Sequence, residues 1–267
     1  MINYNPIKIK AVIAETPTTK SLVFDYPLQA ATGQFLMVTD FQNGEKPFSI
    51  SKCSGETFSL TIRAMGTFST ILTSLSVGDT IYFRGPYGNK FRIPAKNEKL
   101  LVIGGGCGTA PLRFLINTLR ASGATNIAFI NGAKTKDELL FHDELADTDI
   151  HYYTATNDGS EGYKGTNAEL FKHLLKKESF DSVFSSGPEL MLNAVYNVAS
   201  ENGIRGQYLL ERYMKCGIGI CGSCTIDPIG LRLCIDGPVI DGTMLPRLTE
   251  FGSYHRDASG QRVMLQC

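Results

Sequence analysis

Leu100-Leu-Val-Ile-Gly104-Gly-Gly-Cys-Gly108-Thr-Ala-Pro-Leu112 reads as a short apolar strand that runs into glycines and out into a helix. Leu112, Phe114, Leu115 and Leu119 supply the helix with an apolar face. Pro111 suits the first helical turn, where a missing N–H costs nothing. Glycines let a backbone approach a pyrophosphate, and a helix N-terminus adds free N–H groups and a positive dipole. Thr109 stands where G-x-G-x-x-G would place its third glycine, so a plain tight turn between strand and helix stays open as the alternative.

Downstream, the strand–helix alternation repeats. Residues 127–131, 149–154, 182–185 and 207–210 are strand-like. Thr135-Lys-Asp-Glu138 predicts a capping box before a helix over 139–145, and Thr166-Asn-Ala-Glu169 predicts another. Residues 189–201 predict a helix that Gly203 stops. Such a series implies a parallel sheet with helices on both faces, whose ligands sit at the carboxyl ends of the strands. Ser186-Gly187-Pro188 lies at one of those ends.

Upstream, residues 1 to about 95 are β-structure. Ile7, Ile9, Ala11 and Ile13 alternate with more polar neighbours, and strands are predicted at 21–25, 34–39, 48–50, 57–63 and 80–84. Six short strands punctuated by Gly, Pro and Asn fit a small antiparallel barrel. A short helix is predicted from Thr67 to Leu75, and a turn at 85–89 closes the region.

Near the C-terminus, Lys215-Cys-Gly-Ile-Gly-Ile-Cys-Gly-Ser-Cys-Thr is followed by Cys234. Cys216, Cys221, Cys224 and Cys234 make C-x4-C-x2-C plus a fourth cysteine, the plant-type [2Fe–2S] spacing. The small residues between them let the backbone wrap closely and aim N–H groups at sulfur. Zinc sites more often pair two C-x2-C units or add His, and structural zinc remains the rival. Cys53, Cys107 and Cys267 lack ligand spacing and read as packing or incidental residues, and His255 as a surface or packing residue. The short interval from Cys224 to Cys234 predicts a tight hairpin.

The chain of 267 residues is 43% hydrophobic and 19% charged, with 26 basic and 26 acidic side chains. That balance creates no field suited to nucleic acid or an anionic membrane. No apolar run reaches membrane-spanning length, no signal peptide opens the chain, and seven cysteines without one suggest the cytoplasm. The expected architecture is a β barrel plus α/β: an antiparallel flavin-binding barrel over 1–96, a parallel-sheet nucleotide-binding domain over 97–210, and a small iron–sulfur segment over 211–267.

The barrel-then-parallel-sheet order resembles the ferredoxin-NADP reductase superfamily. Lys46-Pro47-Phe48-Ser49 is similar to its flavin motif, with Lys where Arg is usual and Phe where Tyr is usual. Ile62 and Arg63, with Gly66-Thr67 opening a helix, resemble its pyrophosphate motif. Ser186 departs from the Cys common beside the nicotinamide. Within the superfamily, Met214-Lys-Cys216-Gly-Ile-Gly-Ile-Cys221, Cys234-Ile-Asp-Gly237-Pro-Val239 and Asn157-Asp-Gly-Ser160 resemble the electron-transfer subunits of type B dihydroorotate dehydrogenases.

That resemblance implies FAD held by Lys46, Pro47, Phe48, Ser49, Ile62, Arg63, Gly66 and Thr67. It implies NAD, as substrate, on Gly104, Gly105, Gly106, Gly108, Thr109 and Gly187, and a [2Fe–2S] cluster on the four cysteines. A nicotinamide exchanges two electrons at once and a cluster one, so the flavin must lie between them. No catalytic acid or base is expected at the hydride step. No orotate site is visible, so the substrate chemistry falls to an FMN-containing catalytic subunit, assembled as a heterotetramer. A reductase subunit serving ferredoxin, a hydrogenase or sulfur reduction is the alternative. The residues after the second strand of the sheet leave NAD against NADP open.

Overall fold

The computed structural model describes residues 3–95 and 97–265; the packing role expected of Cys267 lies outside them. Strands β1 (Asn5–Thr16), β2 (Thr19–Asp25), β3 (Phe35–Thr39), β4 (Glu45–Cys53), β5 (Thr57–Arg63) and β6 (Thr80–Tyr87) close a barrel in the order β1-β2-β5-β4-β3-β6. Every neighbouring pair is antiparallel. Closure leaves no edge strand unpaired. Alternation places Ile7, Ile9, Leu22, Phe24, Leu60 and Phe83 in one apolar core. Helix α1 (Thr67–Ser74) falls where the sequence predicts it and seats Phe68 and Leu72 on that core. β6 runs three residues into the expected turn before Gly88.

The second unit alternates β7 (Leu100–Gly105), α2 (Thr109–Ala121), β8 (Ile127–Ala133), α3 (His142–Ala146), β9 (His151–Thr156), β10 (Tyr163–Lys164), α4 (Asn167–Leu174), β11 (Ser182–Ser186), α5 (Glu189–Glu201) and β12 (Arg205–Leu209). Leu101 and Ile103 face α4 and α5, while Leu100 and Val102 face α2. Helices therefore cover both faces, and the central strand β7 is apolar and buried along its whole length.

One sequence expectation fails here. Thr135 caps only a short 3-10 turn over Lys136–Glu138 and makes no side-chain cap bond; the helix begins later, at His142. Leu139, Leu140 and Phe141 are buried, Leu140 O accepts from Asn131 Nδ2 at 2.9 Å, and Phe141 adopts φ +56. Packing three apolar side chains under β8 outweighs helix continuation. The second box holds: Thr166 Oγ1 accepts from Glu169 N, and Glu169 Oε2 accepts from Thr166 N at 2.7 Å.

The last segment contains hairpin β13 (Thr225–Ile226)/β14 (Leu231–Arg232), α6 (Leu233–Asp236), β15 (Val239–Asp241) and hairpin β16 (Tyr254–Arg256)/β17 (Arg262–Met264). The tight hairpin expected after Cys224 is present. β15, which carries no sequence signal, adds an antiparallel edge to β12 and completes a seven-stranded sheet, β10-β9-β8-β7-β11-β12-β15. Among the described residues, no helix is long and apolar enough to cross a membrane.

Candidate functional site

The chain builds outward from β7 to β8, β9 and β10, then returns to place β11 on the other side of β7. That reversal opens a crevice at the strand carboxyl ends. Gly104 and Gly105 end β7, Gly106–Gly108 form a single 3-10 turn, and Thr109 opens α2. Gly187 follows β11 on the other side. Thr109 Oγ1 donates to Asn131 Oδ1 at 3.2 Å, and Asn167 Nδ2 donates to Gly104 O at 2.9 Å, so the turn is pinned from beneath. Among the described residues Ser186 Oγ is buried without a hydrogen-bond partner, a polar atom left open at the end of β11.

Beside this crevice lies a cleft of about 230 Å3 between barrel and sheet. Pro47, Phe48 and Ser49 of β4 and Thr61, Ile62 and Arg63 of β5 form one wall. Cys107, Ala110 and Pro111 form the second, and Leu209 to Arg212, Met214 and Pro238 the third. Gly66 and Thr67 lie just past Met65, which also lines the cleft. Ser69 Oγ accepts from the N–H groups of Met65 and Gly66 at 3.0 Å, which shapes the entry to α1. Of the residues expected to hold FAD, Pro47, Phe48, Ser49, Ile62 and Arg63 line this cleft; Gly104, Gly105, Gly106, Gly108, Thr109 and Gly187, expected to hold the dinucleotide, lie outside its lining.

Lys46 points elsewhere. It does not line the cleft; its Nζ donates to Tyr213 Oη at 3.0 Å and lies 4.1 Å from that ring's centroid.

Cys107 faces the cleft from the glycine turn. Burial pushes its thiol up to about 11, partly offset by the Arg63 guanidinium. Glu211, the one carboxylate of the cleft wall among the described residues, is open to the cleft yet crowded by protein. Desolvation and the charge of Glu189 raise its pKa.

From the cleft wall the chain runs directly into the cysteine loop, Met214 being two residues before Cys216. Cys221 N donates to Cys216 Sγ and Cys234 N to Cys224 Sγ, each at 3.4 Å. Gly219 N donates to Cys234 Sγ at 3.1 Å. Cys224 and Cys234 are buried, and Cys221 is exposed. Gly219 needs its φ of +76, and a Cβ there would overlap Ile235 Cδ1. Among the described residues, no three of His, Cys, Asp and Glu converge as ligands of a single ion would. N–H groups aimed at paired sulfurs suit a cluster spread over two irons. Burial, then the neighbouring Cys224, pushes the Cys234 thiol up to about 12, so loading metal must displace a proton.

Two charged assemblies hold this arrangement, and neither is visible in sequence. Arg84 of β6 is buried, pairs bidentately with Glu45 at 2.7 Å on both bonds, and donates to Cys216 O at 2.6 Å. Its only signal in the sequence is an arginine following the core residue Phe83. Behind the cleft, Arg212 pairs with Glu189 at the start of α5, and its Nε lies 3.7 Å from a Glu250 oxygen. Glu250 is fully buried and accepts from Asp227 N of the cysteine hairpin at 3.2 Å.

Residues 211–245 match the model for the iron–sulfur cluster binding domain of dihydroorotate dehydrogenase B. A probable dihydroorotate dehydrogenase B (NAD(+)) electron transfer subunit of Methanocaldococcus jannaschii is 41% identical over 256 residues, covering 96% of both chains. The chain belongs to this family of electron transfer subunits. A probable counterpart from Methanothermobacter thermautotrophicus is 39% identical over 261 residues, again covering 96% of each chain. A solved NADH-dependent reduced ferredoxin-NADP oxidoreductase, studied for flavin-based electron bifurcation, is 26% identical with a TM-score of 0.81, covering 92% of this chain and 93% of that one. A ferredoxin NADP+ reductase from Neisseria gonorrhoeae, with bound FAD and NADP, shares the fold at a TM-score of 0.64 and 18% identity, covering 76% of this chain and 93% of that one. As an electron transfer subunit of dihydroorotate dehydrogenase B, the chain works with a catalytic partner and serves pyrimidine biosynthesis. Its cofactors are FAD, an iron–sulfur cluster and NAD.

Proposed function

We propose that this subunit carries electrons between an FMN-containing catalytic subunit and NAD, through a [2Fe–2S] cluster on Cys216, Cys221, Cys224 and Cys234 and a FAD in the barrel–sheet cleft. The observation that carries this reading is continuity: Leu209 to Arg212 and Met214 wall the cleft, and Cys216 follows two residues after Met214. Bound flavin exchanges electrons with nicotinamide in pairs and with the cluster singly. The protein's part is to bind, orient and exclude water. Pro47, Phe48, Ser49 and Ile62 offer the flavin a mostly apolar wall, and Arg63 supplies a positive charge for its phosphates. Thr67 opens α1, whose first N–H groups lack intrahelical acceptors and seat a pyrophosphate. Gly104, Gly105, Gly106, Gly108 and Thr109 bring backbone and helix dipole to the dinucleotide, and Gly187 lets its nicotinamide end approach.

The boundaries 1–96, 97–210 and 211–267 describe the division of labour, with β15 returning from the third segment to the sheet of the second. The catalytic partner meets the cluster face, where Cys221 and its neighbour Ile220 are exposed. The assembly is a heterotetramer in the cytoplasm.

A second reading, a reductase subunit serving ferredoxin or another carrier, draws on the likeness to the NADH-dependent reduced ferredoxin-NADP oxidoreductase. Anaerobic purification from the native host separates the two. Recovery of an FMN-containing dihydroorotate-oxidising subunit is the expected result; a different dehydrogenase or a ferredoxin partner sinks the first reading.

A further inference from the structure

Glu45 and Lys46 are neighbours on β4, and both reach the segment that leads into the cysteine loop. Glu45 does so through Arg84, whose Nη1 donates to Cys216 O at 2.6 Å while Nε and Nη2 hold the Glu45 carboxylate. Lys46 does so directly, through the Tyr213 hydroxyl and ring. The next three residues of the same strand, Pro47, Phe48 and Ser49, line the flavin cleft. One strand therefore carries both a wall of the flavin cleft and two tethers to the approach of the first cluster ligand.

We propose that Arg84, seated on Glu45, is a positioning residue for electron transfer, fixing the Cys216 arm of the cluster loop to the flavin barrel and tuning the cluster with its charge. The inference rests on the four cysteines holding a cluster. Its physical basis is burial: Arg84 is 3% exposed, so its charge is poorly screened by water. The rings of Tyr87 and Tyr4 lie 5.5 and 5.8 Å from the guanidinium carbon, which limits its freedom. Burial works against the charge, but the Glu45 carboxylate more than offsets this and keeps the group protonated. Gly217 packs on Met37 of β3, so the loop is seated on the barrel from a second side. In the step concerned, one electron leaves the reduced flavin and enters the oxidised cluster, and no bond at Arg84 is made or broken. Reduction adds a negative charge to the cluster, and a nearby guanidinium stabilises it. Lys46 is assigned to this clamp and not to the flavin phosphates.

The test uses the full chain with both cofactors, and iron and FAD contents are measured first. Arg84→Gln is compared with Arg84→Lys by EPR redox titration and by stopped-flow reduction with NADH, in which flavin bleaching is the internal reference. Arg84→Gln is expected to reduce its cluster about tenfold more slowly. Its reduction equilibrium should fall about tenfold, a potential lower by about 59 mV for one electron. Arg84→Lys should restore the potential but not the rate, because charge returns and the fork does not. Should Arg84→Gln not fold, Lys46→Met reads the second tether, with slower cluster reduction and an unmoved potential expected. Filled variants with wild-type potential and wild-type cluster reduction overturn the inference while leaving the cluster reading intact. A wild-type chain without iron overturns both.

Discussion

Gly108 packs so closely on the end of β11 that a Cβ would overlap the Ser186 carbonyl oxygen and the Gly187 nitrogen. Neither backbone atom is free to give, so the glycine turn and the β11 loop are one unit across the crevice. Gly108→Ala must separate them. NADH reduction of the flavin should fall at least tenfold while FAD stays bound, because the flavin-motif residues Pro47, Phe48, Ser49, Ile62 and Arg63 lie on β4 and β5. Stopped-flow bleaching at 450 nm, together with flavin content, checks this; wild-type bleaching would show that the close approach is not needed.

Cys216, Cys221, Cys224 and Cys234 predict about two irons and two sulfides per chain. Cys221→Ser should lose most of the iron and keep FAD, since Cys221 does not line the flavin cleft. Iron, sulfide and flavin assays on anaerobic protein decide it. Stoichiometric zinc without iron in the native preparation would refute the assignment.

Thr67 is the first residue of α1, and Gly66 before it is extended at φ -145 and ψ 175. Proline is tolerated there, so Thr67→Pro removes one N–H without breaking the helix. A hydrogen bond to a charged group contributes about 1.5–3 kcal/mol, so FAD should bind roughly tenfold more weakly or worse. Flavin released by acid should be FAD; recovery of FMN alone contradicts the pyrophosphate seat.

The isolated subunit should pass electrons from NADH to ferricyanide and should not oxidise dihydroorotate. NAD-linked dihydroorotate oxidation should appear only with the catalytic subunit, and then depend on Cys216, Cys221, Cys224 and Cys234. Hydride transfer needs near-contact of about 3–3.5 Å, which flavins in separate subunits cannot reach. A cluster-free variant supporting the full rate in the reconstituted complex would eliminate the relay.

The thiol of Cys107, pushed up to about 11 from 9.0, makes a pH prediction. The folded chain holds this proton more tightly than the unfolded one, so the stability Cys107 adds is complete below pH 9. It is lost as pH rises through about 11. Alkylation followed by mass spectrometry should find Cys107 slow at pH 8 and faster toward pH 11. Rapid labelling at pH 8 in folded, flavin-loaded protein would contradict the burial that causes the shift.

Local chemistry makes much of this protein legible in its sequence. Alternation at Ile7 and Ile9, the apolar run of Leu100 to Ile103, the box at Thr166 and the spacing of Cys216, Cys221 and Cys224 are all signals within a few residues. The first three place two strands and a helix start, and the cysteine spacing marks candidate ligands. At Thr135 the same kind of signal misled, because burial of Leu139 to Phe141 competes with helix propensity and the sequence pattern does not show which prevails.

What lay beyond the sequence is long-range. Arg84 meets Cys216 across 132 positions and Lys46 meets Tyr213 across 167. β15 joins β12 only after the cysteine hairpin has turned the chain back. The two-residue step from cleft wall to first ligand is written in the chain. Which charged side chains clamp that step to the barrel depends on closure of six strands and the seating of the cysteine loop against them. A buried ion pair leaves no periodic trace; its partners are selected by the folded surface that removes both from water.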